Sequence, residues 1–121
     1  MNSLWHALIG FGFRLLYHEF AWTYDTVSKG VSFGQWRCWG RQALAHLAAA
    51  PGDSILEIAH GTGSIQLDLI DAGYRVTGID LSPQMGRIAA RKLRRAGRRP
   101  QLARAAAGAL PFPAAAFSAI V

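Results

Sequence analysis

The chain lacks several features that would place it in familiar classes. Among its 121 residues there is one cysteine, Cys38, so no internal disulfide can form. That usage fits a reducing compartment, and a lone thiol among aromatic neighbours reads as packing rather than as a nucleophile. No stretch approaches the roughly 18–20 uninterrupted apolar residues of a membrane span. The richest, Leu4 to Phe13, contains His6 and stops at Arg14. The segment ahead of Arg14 carries no Lys or Arg, whereas a secretory signal starts basic. Export is not expected, and the chain reads as cytoplasmic. Acidic residues are few: 7 Asp+Glu stand against 13 Lys+Arg, a net charge of +6, and none follows Asp80. What is abundant is apolar surface, 51% of residues, which excludes disorder. A single domain usually takes ~100–150 residues, so the length leaves no room for a second one.

The basic residues cluster: Arg87, Arg91, Lys92, Arg94, Arg95, Arg98, Arg99 and Arg104 lie in one segment. Clustered cations attract phosphates. Arginine nevertheless outnumbers lysine 11 to 2 beside 21 alanines, which reads as compositional bias more than as a binding site. Nucleic acid is not expected as a partner, and peripheral contact with an anionic membrane stays open.

Two halves differ in pattern. Residues 1–50 read as a helical cap: a helix over Leu4 to about Glu19, a turn or short helix around Thr23–Gly30, then a longer helix. In that last one Trp36, Trp39, Ala43, Leu44 and Leu47 recur at three- and four-residue steps, a stripe expected to face the core. Ser32 with Gln35 three residues later predicts a capping box at its start, and Pro51-Gly52 marks its end. From residue 51 short apolar runs alternate with helical segments, the pattern of a parallel α/β sheet. Strands are predicted at Ser54–Ala59, Arg75–Ile79, Gln101–Ala105 and Phe117–Val121. Helices are predicted at Gly63–Ala72, with Ile65 and Leu69 inward, and from Pro83 to about Ala96, with Met85, Ile88, Ala89 and Leu93 as the apolar stripe. The chain stops inside the last apolar run, which predicts a C-terminally incomplete domain or pairing with another chain.

The sharpest feature is strand, turn, helix at Ile55-Leu56-Glu57-Ile58-Ala59-His60-Gly61-Thr62-Gly63. Glycines directly after a strand permit a tight turn and bring a ligand close to backbone N–H groups at a helix N-terminus. Asp80 closes the second strand, where a nucleotide-binding α/β fold places the acid that accepts from both ribose hydroxyls. A dinucleotide fingerprint would put a third glycine at position 66, where Gln66 stands, and no acid inside the first strand. Glu57 instead suits a ligand without pyrophosphate and with a cationic amino-acid end.

These residues resemble the first half of a class I S-adenosylmethionine-dependent methyltransferase. ILEIAHGTG is similar to that family's first motif, GIDLSPQM to its second, and ALPFPAAAF to the segment before its fourth strand. The resemblance implies a Rossmann-like α/β sheet over 51–121 behind an N-terminal cap, and S-adenosylmethionine as cofactor. It implies that Glu57, Gly61 and Gly63 shape the cofactor loop with Ala59 in place of the first glycine. It further implies that Asp80 holds the ribose and that Leu81 and Met85 pack on adenine. Where many members have an acid for the adenine amino group, Ala106 stands in a run of alanines, with Ala107 in the cofactor site. Tyr24-Asp25, Ser32-Phe33-Gly34, Arg37 and Trp39 are similar to the opening of the ubiquinone/menaquinone biosynthesis C-methyltransferases, which implies Tyr24 and Arg37 near the methionine end or the substrate. A small, lipophilic, quinone-like acceptor is implied, and no metal. His18, His46 and His60 are the available bases, and none is assigned as catalytic. The alternative is a non-catalytic cofactor-binding half-domain.

Overall fold

The structure, a computed structural model, describes residues 3–121. The N-terminal part comprises α1 (Ser3–Tyr17), a 3-10 turn (Ala21–Thr23), α2 (Tyr24–Val31), α3 (Gln35–Gln42) and a second 3-10 turn (Ala43–His46). The sheet half follows as β1 (Ser54–Ile58), α4 (Ser64–Asp71), β2 (Arg75–Asp80), α5 (Pro83–Arg95), β3 (Leu102–Arg104) and β4 (Ala119–Ile120). All pairings are parallel, in the order β3-β2-β1-β4. Growth runs outward from β1 to β3 and then jumps to the other side of β1, so the order reverses between β1 and β4. Ligands of open α/β sheets bind outside the carboxyl ends of the strands at such a reversal.

The central strand explains why the glutamate is where it is. Side chains alternate across a strand. Ile55 packs with Leu69 and Val76 on one face, whereas Leu56, on the other, lines a cavity with Leu110, Phe112 and Phe117. Glu57 shares the Ile55 face but lies at the strand's carboxyl end, below α3. On α5, Pro83 occupies the first turn, as read from sequence, and the Ser82 hydroxyl caps it by accepting from the Met85 N–H at 3.2 Å. Met85, Ala89 and Leu93 form its fully buried stripe.

Helix α3 is shorter than its stripe predicts. Ser32 does cap it, accepting from Trp36 N–H at 3.0 Å, but the residue before the helix is Gly34 at φ +80°, and Gln35 makes no reciprocal bond. At Gly40 the helix comes so close to α4 that a Cβ would stand 2.6 Å from Ile65 Cδ1. Beyond it, Leu44, Leu47 and Ala49 join the Ile55 cluster, and Ala50 N–H donates to Asp53 to turn the chain into β1. A continuous helix would carry Leu47 away from the sheet, so the packing of these residues overrides their helical spacing. Trp36 and Trp39, expected in the core, are half exposed, and Cys38 is exposed rather than packed. Among the described residues no helix is long and apolar enough to cross a membrane.

Candidate functional site

Two cavities meet above the carboxyl ends of β1 and β2. The first, about 310 Å³, lies between α3 and the turn after β1, and Tyr24, Trp36, Arg37, Trp39, Glu57 and Gly61 line it. The second, about 270 Å³, has Ile58, Asp80, Leu81, Ala105, Ala107 and His18 in its wall. Tyr17 and Ala59 belong to both and form the saddle between them.

Asp80 organises the saddle. Its Oδ2 accepts from the Gly61 N–H at 2.9 Å and the Tyr17 hydroxyl at 2.8 Å, and its Oδ1 from the Ser82 N–H at 2.9 Å. Burial, followed by the bond to Asp80, raises the Tyr17 phenol well above its ordinary value and keeps it protonated as a donor. Burial likewise raises Tyr24, with Asp25 adding to it. Three residues before the turn, Glu57 is 5% exposed and its Oε2 has no partner. Its carboxyl is pushed up to about 8, first by burial and then by Asp80 and Asp68. An orphaned buried carboxylate is costly; a cation entering the first cavity would satisfy it. Arg37 hangs over the same cavity, held by Asp68 through Nε at 3.2 Å and Nη2 at 2.7 Å. The bond to Asp68 raises its affinity for the proton. One wall of the cleft thus offers a guanidinium, and the floor a carboxyl that an entering cation would hold ionised.

The turn itself is strained where glycine is missing. Ala59 adopts φ +59°, a left-handed conformation costing an L-residue roughly 1–2 kcal/mol. Gly61 (φ +54°) and Gly63 (φ +84°) adopt it without that penalty. A Cβ on Gly61 would meet only the Tyr17 hydroxyl, 3.9 Å away, whereas one on Gly63 would stand 2.9 Å from Ala89 Cβ. Gly61 faces the cleft, and Gly63 lets α4 start against α5. His60, between Ala59 and Gly61, is buried with Nδ1 2.8 Å from Gly61 O, and burial lowers its proton affinity. It is a neutral brace of the turn.

Tyr24, Arg37, Glu57, Ala59, Gly61, Asp80, Leu81 and Ala107 therefore line the paired cavities. Gly63 shapes the turn from outside them. Met85, expected against adenine, is fully buried and lines neither cavity, because its stripe position on α5 turns it into the core. Leu81 is 62% exposed on the lip. Sequence reasoning missed Tyr17, which has no spacing or motif to mark it. It also missed Lys92, whose Nζ donates to Asp25, Thr62 and Ser64 and ties α2, the turn and α5 together.

The donor set fits an adenosyl amino acid: an acid for vicinal hydroxyls, an apolar lip beside it, and opposite charges for a zwitterionic end. Comparison with known proteins agrees. Residues 55–121 match the family model of a methyltransferase domain. The chain is 34% identical over 108 residues to a demethylmenaquinone methyltransferase of Tropheryma whipplei (strain Twist), covering 89% of this chain and 44% of that protein. It is 39% identical over 103 residues to a ubiquinone/menaquinone biosynthesis C-methyltransferase of Syntrophotalea carbinolica, covering 84% of this chain and 44% of that one. It thus spans less than half the length of these relatives. Among solved structures, an S-adenosylmethionine-dependent methyltransferase from Clostridium acetobutylicum superposes with a TM-score of 0.60 at 26% identity, over 84% of this chain and 41% of that one. The [4+2]-cyclase SpnF superposes at 0.64 with 28% identity, over 69% of this chain and 32% of its own. The chain belongs to the methyltransferase domain family, with the Rossmann-like fold of its members.

Proposed function

We propose that the protein is an S-adenosylmethionine-dependent methyltransferase acting on a small, lipophilic, quinone-like acceptor. The observation that carries this reading is the unpartnered oxygen of Glu57, which lines one cavity with Arg37 beside a second cavity lined by Asp80. In this reading Glu57 takes the cofactor's ammonium and Arg37 its carboxylate. Asp80 accepts from the ribose hydroxyls, and Leu81 and Ala107 flank the adenine. The names of the relatives support the quinone-like acceptor, as do Trp36 and Trp39 in the wall of the first cavity.

The cofactor supplies a sulfonium-bound methyl group for in-line displacement by the acceptor's nucleophilic carbon or oxygen. The chain's residues then hold the amino-acid end fixed, so that the methyl group has one direction of approach. The aromatic walls keep that approach dry. No residue here is assigned the acceptor's proton.

Calorimetric titration of S-adenosylmethionine, paired with a transfer assay on demethylated quinols, tests the reading. Micromolar binding that Glu57→Gln and Asp80→Asn each weaken by tenfold or more is expected, with methyl appearing on the quinol. Binding without transfer would favour the non-catalytic half-domain, and absence of binding would refute both.

A further inference from the structure

Helix α1 packs almost none of its surface. Its residues from Ser3 to Arg14 are exposed, including Leu4, Trp5, Leu8, Phe11 and Phe13 on all sides, and the helix contains no acid. Fifteen residues span about 22 Å, short of the roughly 30 Å hydrocarbon core, so α1 could lie in a membrane interface but could not cross it. Immediately after it, Trp22 is 74% exposed and sits in a shallow recess with Arg91, Lys92 and Arg95 of α5. Around α5 opens a groove of about 850 Å³ toward β3, lined by Arg87, Arg91, Arg94, Arg95 and Arg104. Arg104 donates to Leu81 O, but Arg87, Arg91, Arg94 and Arg95 make no ion pair or side-chain hydrogen bond among the described residues. The acids near this face are Asp25, paired with Lys92, and Asp80, which already accepts from Gly61, Tyr17 and Ser82.

We propose that α1, Trp22 and the arginine face of α5 form one continuous surface that docks on an anionic lipid bilayer. Trp, Phe and Leu beside unpaired guanidinium groups match the two layers of such an interface: apolar side chains enter at headgroup depth, and cations meet the phosphates and carboxylates. A nucleic acid would engage the arginines alone and leave the apolar helix uncovered. A second copy of this chain would bring two arginine faces without paired acids together, each on a chain of net charge +6. The bilayer accommodates both features. The proposal stands apart from methyl transfer, since cofactor titration in the absence of lipid reads the catalytic half alone.

Co-sedimentation of the full chain with lipid vesicles tests it. Vesicles with roughly a third phosphatidylserine are expected to bind at least tenfold more tightly than pure phosphatidylcholine, with the difference falling as salt is raised. The quadruple variant Arg87→Gln, Arg91→Gln, Arg94→Gln, Arg95→Gln is expected to lose about a hundredfold of that binding. Trp5→Ser with Phe11→Ser is expected to lose at least tenfold and to reduce quenching of tryptophan fluorescence by brominated lipid. All these side chains are exposed, and an unchanged circular dichroism spectrum and unfolding midpoint verify that the variants fold. Binding unchanged by the arginine replacements, or equal on neutral vesicles, overturns the proposal. So does binding to polyuridylate but not to vesicles, or self-association in sedimentation velocity without vesicle binding.

Discussion

Replacing Gly63 by Ala and Gly61 by Ala separates the two glycines of the turn. At Gly63 the substitution meets two penalties. The backbone is at φ +84°, which costs an L-residue roughly 1–2 kcal/mol. The new Cβ would also lie 2.9 Å from Ala89 Cβ and 3.1 Å from Ala89 Cα, backbone that cannot rotate away, and overpacking of this kind costs about 1–3 kcal/mol. The sum, about 2–5 kcal/mol, is a large share of the ~5–15 kcal/mol stability of an ordinary domain. At Gly61 the first penalty applies and the second does not, because the nearest atom is the Tyr17 hydroxyl at 3.9 Å. Its expected loss is about 1 kcal/mol, but its Cβ enters the cleft wall and should weaken cofactor binding by tenfold or more. Urea unfolding measures stability, and calorimetry measures binding on the folded fraction. Adding Ala89→Gly to Gly63→Ala should recover only the part of the steric penalty that the Ala89 Cβ causes, less about 1 kcal/mol for glycine inside α5, because the 3.1 Å approach to the residue 89 Cα remains. If Gly63→Ala loses under 0.5 kcal/mol, or Gly61→Ala loses more stability than Gly63→Ala, the close approach of the turn to α5 is refuted.

Three other perturbations follow from the site. Glu57 binds its proton more tightly folded than unfolded, so between about pH 4.5 and 8 the folded chain carries the extra proton and its stability falls as pH rises. Glu57→Gln should flatten that slope, stabilise the cofactor-free chain at pH 8 by a few kcal/mol and weaken cofactor binding by tenfold or more; parallel slopes of the two proteins in urea titrations at several pH values would refute this. Tyr17→Phe removes a phenol that occupies the Asp80 oxygen a ribose hydroxyl needs, so cofactor affinity should rise by about fivefold, one net hydrogen bond; weaker binding would show that Tyr17 assists the ligand. Lys92→Met should lose about 1 kcal/mol, since the pair with Asp25 is half exposed, and should couple with Asp25→Asn in a double-mutant cycle of thermal melts. Strict additivity would mean the tie between α2 and α5 carries no energy.

Local rules made some elements legible. The start of α5 at Pro83 was readable because a proline suits the first helical turn, whereas the Ser82 cap beside it went unread. The four strands and their helices were readable because buried parallel strands form continuous apolar runs between turn signals. Long-range contacts made others illegible. The Trp36/Trp39 stripe has helical spacing whether it faces a core or a cleft, and only the approach of Gly40 to Ile65 orients it. Met85 was placed one layer too high for a similar reason: spacing assigns it to the α5 stripe, but sequence adjacency to Leu81 says nothing about which of the two reaches the cavity.

By itself, the sequence placed Glu57, the Gly61 turn and Asp80 at the carboxyl ends of β1 and β2, because strand, turn and helix signals span a few residues each. Tertiary structure alone decided what stands over them. Tyr17 reaches Asp80 across 63 positions, Arg37 reaches Asp68 across 31, and Lys92 reaches Asp25 across 67. Those bonds depend on how the cap docks on the sheet, through the close approaches at Gly40 and Gly63 and the burial of Leu44 and Leu47, and no periodicity along the chain encodes a contact between elements so far apart.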